Sequence, residues 1–195
     1  MTRVRQSPLV LIVALACLVG PACRLRRPDV TPVRVIEPQL VESVRHETTA
    51  THALPIRLLD PQSRGHIGHR LIRQLPGGEL TEDPVWRWSS MPDRYLDTAL
   101  RLELEARPDL RLVDSGNALV LAVTLLTWQV EPADSPRLVG AIELTVTEAD
   151  RIVHTHIVRR SEPVSAEMPG DLAAAAGRLL QGLASEGLTK VAAGR

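Results

Sequence analysis

Apolar and polar positions divide the chain into an uninterrupted apolar leader, a polar connector and a long body of short alternating runs. Residues 7–20 carry no charge and are mostly Leu, Val, Ile and Ala. Beyond the connector, residues 33–36 predict a first strand. Residues 37–53 are polar without a period, and no element is assigned to them. Residues 56–59 predict a short strand ended by Asp60 and Pro61, and 62–68 read as loop. Residues 70–75 predict a strand, Pro76, Gly77 and Gly78 a turn, and 79–88 the returning arm of a hairpin, its first half weakened by Pro84.

The period then becomes helical. Ser90, Met91, Pro92 and Asp93 form a helix start, with Ser90 as the cap and Pro and Asp in the first turn. Tyr95, Leu96, Ala99, Leu100 and Leu102 recur at helical spacing and Pro108 follows, so a helix is predicted over 92–106. Residues 110–113 return to strand, and 114–117 (Asp, Ser, Gly, Asn) turn. Residues 118–130 are apolar on both faces, as in a central strand covered on both sides. Leu138, Gly140, Ile142, Leu144 and Val146 alternate with more polar neighbours. A turn at 148–150 leads into a partner strand over 151–159.

After a loop over 163–170, residues 171–192 predict a second helix, with Leu172, Ala176, Leu179, Leu180 and Leu183 as its stripe. The alanines at 173–176 favour helix and permit close approach to a sheet, whereas Gly182 and Gly187 weaken its second half. The order of strands, helix, strands, helix with hairpins predicts an α+β fold. Its sheet is largely antiparallel, with two main helices packed on one face.

The leader has the layout of a secretory signal: Arg3 and Arg5, an apolar core, Pro21, then Arg24, Arg26 and Arg27. The core is shorter than the ~20 residues that span a bilayer as a helix, which disfavours the alternative of an uncleaved anchor. Both cysteines of the chain, Cys17 and Cys23, lie here. Small or aliphatic residues directly before a cysteine are the mark of a bacterial lipoprotein signal, in which that cysteine is acylated and becomes the mature N-terminus. Cys23 stands at the end of the apolar run, after Gly20, Pro21 and Ala22, and is the expected lipidation site. Cys17, after Ala14, Leu15 and Ala16, is the alternative. The organisation expected is a signal peptide over 1–22, a membrane tether over 23–34 and a single domain over 35–195. Several acyl chains on one residue suffice for stable anchoring.

A body of about 170 residues suits one domain with a sizeable core. Formal charge is zero, and removal of Arg3 and Arg5 leaves the chain slightly acidic. That argues against nucleic acid, which requires a basic footprint. With no Phe, one Tyr and three Trp, the core must be built from Leu, Val, Ile and Ala, and base-stacking platforms are excluded. A body without cysteine has neither a disulfide nor a thiol nucleophile.

Six histidines are present. His66 and His69 flank a Gly-rich loop, and His154 and His156 share one face of a strand. His46 and His52 stand apart. A zinc site needs further ligands that this spacing does not supply, so an exposed strand face is the better reading and no metal is expected. No nucleophile elbow, phosphate loop or dinucleotide fingerprint occurs, and Glu103 and Glu105 read as solvated helix positions. No catalytic residue and no cofactor are expected. Trp86, Arg87 and Trp88 place two indoles on one side of a strand. They read either as the main aromatic patch of the core or as a partner-facing patch, since Trp and Arg are common interface anchors.

The run Leu71 to Leu80 (LIRQLPGGEL), then Val85 to Trp88 (VWRW), then Pro92, Tyr95, Leu96, Ala99 and Leu100 resembles the ABC-type transport auxiliary lipoprotein family, which includes the PqiC-like proteins. Arg87 and Trp88 match the family's Arg-Trp pair, and the second half follows the family's order of long strand, hairpin and Ala-rich helix. The first strand lacks the aromatic residue usual in the family. The resemblance spans roughly residues 54–190. It implies a non-enzymatic, periplasm-facing outer-membrane lipoprotein that serves an MCE-type ABC lipid transport system by docking on the MCE-domain protein. Some such proteins form rings, and a second copy would cover the outer face of strand 118–130. Two other classes stand beside this one: a solitary envelope lipoprotein that binds a small apolar ligand or acts as a scaffold, and a metal-dependent envelope enzyme using the histidines.

Overall fold

The computed structural model describes residues 32–41, 53–132, 135–165 and 169–194. The expected signal peptide, Cys17, Cys23, His46 and His52 lie outside the described residues. The strands are β1 (Arg34–Ile36), β2 (Leu54–Leu58), β3 (Gln62–Ser63), β4 (Arg70–Gln74), β5 (Leu80–Trp88), β6 (Leu110–Leu112), β7 (Leu119–Glu131), β8 (Arg137–Glu148) and β9 (Arg151–Pro163). The helices are α1 (Pro92–Ala106) and α2 (Pro169–Ala193).

β7 organises the sheet. One of its edges pairs with β8 along its whole length, antiparallel, and β8 pairs in the same way with β9. Its other edge is shared in succession by β2, β3 and β4, each parallel to it and each in register for only a few residues. β6 adds to β2, and β5 then β1 add beyond β4. The long pairings are thus antiparallel and the short ones parallel, and the architecture is the expected α+β one.

A bulge between Leu125 and Thr127 re-phases β7. Leu119, Leu121, Val123 and Leu125 face the helices before it, and Trp128 and Val130 face them after it. The strand therefore carries apolar residues at both parities although one face forms the core. On the other face Val120, Ala122 and Thr124 are half-buried.

α2 lies across β8 and β9, and every residue of its expected stripe is buried. Gly140 makes room for this packing: a β-carbon there would press on Leu183, Leu179 and the Trp128 ring. α1 packs against α2 and β6. Its buried face runs Tyr95, Leu96, Ala99, Leu100, Glu103 and Leu104. Two expectations are corrected here. Leu104 rather than Leu102 completes the stripe, and Glu103 lies on the buried face, whereas Glu105 is exposed. The helix cap also differs. Met91 is the N-cap without a side-chain bond, and Ser90 instead donates its backbone N–H to the Tyr95 hydroxyl at 2.7 Å. β3 forms inside the expected loop, and α2 begins two residues before the expected start.

The β4–β5 hairpin turns at Gly77 and Gly78, whose φ angles of 104° and 91° suit glycine. The β8–β9 hairpin turns through Ala149 and Asp150, both left-handed at φ 46° and 63°. A two-residue loop with both centres at positive φ matches the right-handed twist of its strands.

Candidate functional site

The Trp-Arg-Trp stretch closes β5, and an irregularity just before it fixes its facing. Asp83 is buried, and its Oδ1 accepts the backbone N–H groups of Val85 (2.8 Å) and Trp86 (3.0 Å). Its Oδ2 accepts from Arg73 Nε at 2.6 Å. The carboxylate thus folds the chain over Pro84, which has no N–H to donate. Burial raises the Asp83 pKa, but the Arg73 bond and the two amides outweigh it, and the group sits below its ordinary value.

Trp88 is 2% exposed and packs on Trp128, with ring centroids 5.5 Å apart and planes tilted by 54°. Trp86 lies on the same side of β5 at the rim of the core, half-buried. The Arg34 guanidinium stands 5.3 Å from its ring centroid, a cation–π contact. Arg87 points to the opposite face of the sheet, half-exposed, and has no ion-pair partner among the described residues. The three side chains therefore do not form one patch. Trp88 belongs to the core, and Trp86 and Arg87 offer surface on different faces.

The row that contains Arg87 crosses three strands. Val35 on β1 is its neighbour on one side and Arg70 on β4 on the other. Arg70 reaches Glu82 at 3.2 Å. Above the same hairpin, the Tyr95 hydroxyl binds Ser89, the Ser90 amide and Glu37 (3.2 Å), tying α1, the end of β5 and the N-terminal segment together. Burial, the largest influence, pushes the Tyr95 pKa up.

A cleft of about 610 Å³ opens where β6 ends. β6 stops at Leu112 opposite Ile56, while β2 continues to Leu58. Leu58, Leu112 and Val123 give it an apolar floor, and Arg57, Asp60, Arg101 and Asp114 give it a charged rim. Arg101 is fixed by Asp97 at 2.9 Å. That bond raises its pKa, with Asp60 and Asp114 adding to it against the opposing effect of burial. The size suits a small molecule. Sequence reasoning missed this cleft because it arises from unequal strand lengths.

His66 and His69 are exposed, and the His69 carbonyl accepts the Trp88 N–H at 2.6 Å. The His154 and His156 rings stack 5.9 Å apart, 14° from parallel, half-buried rather than exposed. The end of α2 abuts His154 at Gly194. Among the described residues, no three His, Cys, Asp or Glu side chains converge as metal ligands.

No family model matches the chain, and no curated protein matches it. Solved structures do. Protein XCC0632 from Xanthomonas campestris, assigned to the family model DUF330, aligns with a TM-score of 0.71 at 16% identity, over 83% of this chain and 96% of that one. The hypothetical protein CT253 from Chlamydia trachomatis aligns with a TM-score of 0.54 at 11% identity, over 72% and 96%. The chain therefore shares the α+β fold of XCC0632 across nearly the whole length of that protein.

Proposed function

We propose that this chain is an envelope lipoprotein, acylated at Cys23 or else at Cys17, that serves as a non-enzymatic auxiliary component of an MCE-type ABC lipid transport system. In this reading it sits on the periplasmic side of the outer membrane and docks on the MCE-domain protein, with Trp86 as the contact residue and Trp88 supporting it from the core. Association of several copies belongs to the same reading. The observation that carries it is the fold shared with XCC0632, whose DUF330 assignment is the PqiC-like family that the sequence resembles. The leader with its two cysteines supports the anchor.

The test is a crosslinked pull-down from native membranes with mass-spectrometric identification. An MCE-domain protein recovered with its permease and ATPase is the expected outcome. Their absence under conditions that preserve such complexes would sink the transport role.

The cleft beside β6 favours a second reading, a solitary lipoprotein that holds a small amphiphilic ligand. Native mass spectrometry of protein purified from the envelope tests it. A ligand that remains bound and is lost in Leu112→Arg supports it, and an empty cleft counts against it.

A further inference from the structure

We infer that the β1–β5–β4 edge of the sheet is a second membrane contact, which receives anionic phospholipid headgroups beside the acyl anchor. The inference rests on the lipoprotein reading.

Three observations meet at this edge. The first is charge. Arg70 and Arg87 are direct partners across the antiparallel β4–β5 pair, an arrangement that is unfavourable for like charges. Glu82 answers Arg70, and among the described residues nothing answers Arg87. The neighbouring carboxylates are engaged elsewhere: Glu37 with Tyr95 and Asp83 with Arg73. A negatively charged partner would relieve the excess.

The second is apolar exposure. Val33 and Val35 are 48% and 63% exposed, and Val35 lies in the same row as Arg87 and Arg70. Aliphatic side chains among arginines suit a bilayer interface, where buried apolar area and attraction to anionic lipid act together.

The third is the path of the chain. Eight residues separate Cys23 from Pro32, where the described domain begins. A chain of that length can span at most ~29 Å. β1 is thus the element nearest the anchor along the chain. The tether brings Arg24, Arg26 and Arg27, and clustered basic residues close to a membrane bind anionic headgroups.

The experiment uses the full acylated chain in vesicles with brominated acyl chains, made of phosphatidylcholine alone or with phosphatidylglycerol. Val35→Trp supplies a reporter at an exposed position. Expected is strong quenching of that tryptophan in the phosphatidylglycerol vesicles and weak quenching in phosphatidylcholine. Arg70→Gln with Arg87→Gln should lower the docked-to-undocked ratio about 25-fold, near five-fold for each arginine. Thermal midpoints of the variants confirm that they are folded. Vesicles that float with the protein while the reporter stays unquenched would overturn the inference, as would equal quenching in both lipids or indifference to the arginine changes. Protein that fails to float with the vesicles would instead remove the lipoprotein reading itself.

Discussion

The carbonyl of Gln39 occupies the space where a β-carbon on Gly177 would stand. One turn earlier along α2, the Ala173 carbonyl accepts the Gln39 N–H at 3.1 Å, and one turn later the Gln181 side chain donates to the Val41 carbonyl. Residues 39–41 therefore run along the helix with backbone against backbone. Gly177→Ala should cost about 1–3 kcal/mol, because the clash is with main chain that cannot rotate away. Gly182→Ala is the control. Its neighbour is the flexible Arg160 side chain, and a helix-propensity gain of about 1 kcal/mol offsets any loss of the exposed Arg160–Glu186 pair. Urea midpoints should drop for the first and hold or rise for the second.

Asp83 makes stability depend on acid. Its folded pKa lies below the ordinary 3.8, so its contribution is complete above that value and is lost as pH falls through the lower folded one. Asp83→Asn keeps an acceptor for Val85 and Trp86 but abandons the charge opposite Arg73, and should cost about 1–2 kcal/mol at neutral pH. The gap between wild type and variant should close in chemical denaturation below pH 3.8. A gap that persists would remove the carboxylate from this role.

Two non-glycine residues hold left-handed conformations in the β8–β9 turn. Ala149→Asn with Asp150→Gly supplies the residues such a turn favours. It should raise stability by about 1 kcal/mol, read as a higher thermal midpoint.

The two kinds of buried ring should respond differently to small changes. Among the described residues the buried Trp88 indole N–H has no partner, so Trp88→Phe loses area but no hydrogen bond, whereas Trp88→Ala should cost about 3–5 kcal/mol. Tyr95→Phe removes a hydroxyl with three partners and should cost about 1–2 kcal/mol. Equal losses for Trp88→Phe and Tyr95→Phe would contradict this distinction.

The parts of the fold legible in the sequence were those with an unbroken period. Helical spacing marks α1 to its residue bounds and the α2 stripe as far as Leu183, and the buried face continues through Ala184, Leu188 and Val191 beyond the glycine at 182. The hairpins were marked by Gly77 and Gly78 and by the turn at 148–150. Most of what escaped had no local signal. The extra residue in β7 interleaves two phases, so residues 118–130 looked apolar on both faces. Gln62 and Ser63 become strand only because β7 offers them an edge. Glu103 was assigned to solvent by its charge, although its place in the helical period sets it on the buried face. For the site, Trp86 and Trp88 shared a side as expected, but the rim position of one and the core position of the other depend on Arg34 and Trp128. The pairing of Arg70 with Arg87 depends on a register that no single strand reveals.

The succession of β2, β3 and β4 along one edge of β7 sets an order of events for a chain delivered from its N-terminus. Until residues 119–131 arrive, those three strands lack the edge they need in common. The β7–β9 meander and α2, by contrast, are contiguous in sequence and supply most of the long pairings. The C-terminal half can therefore assemble by short loop closures and then gather the N-terminal strands onto the edge left open. A chain anchored at its N-terminus, as proposed above, would then complete its sheet from the far end inward. Stop mutations placed after α1 should accordingly leave a protease-sensitive N-terminal fragment.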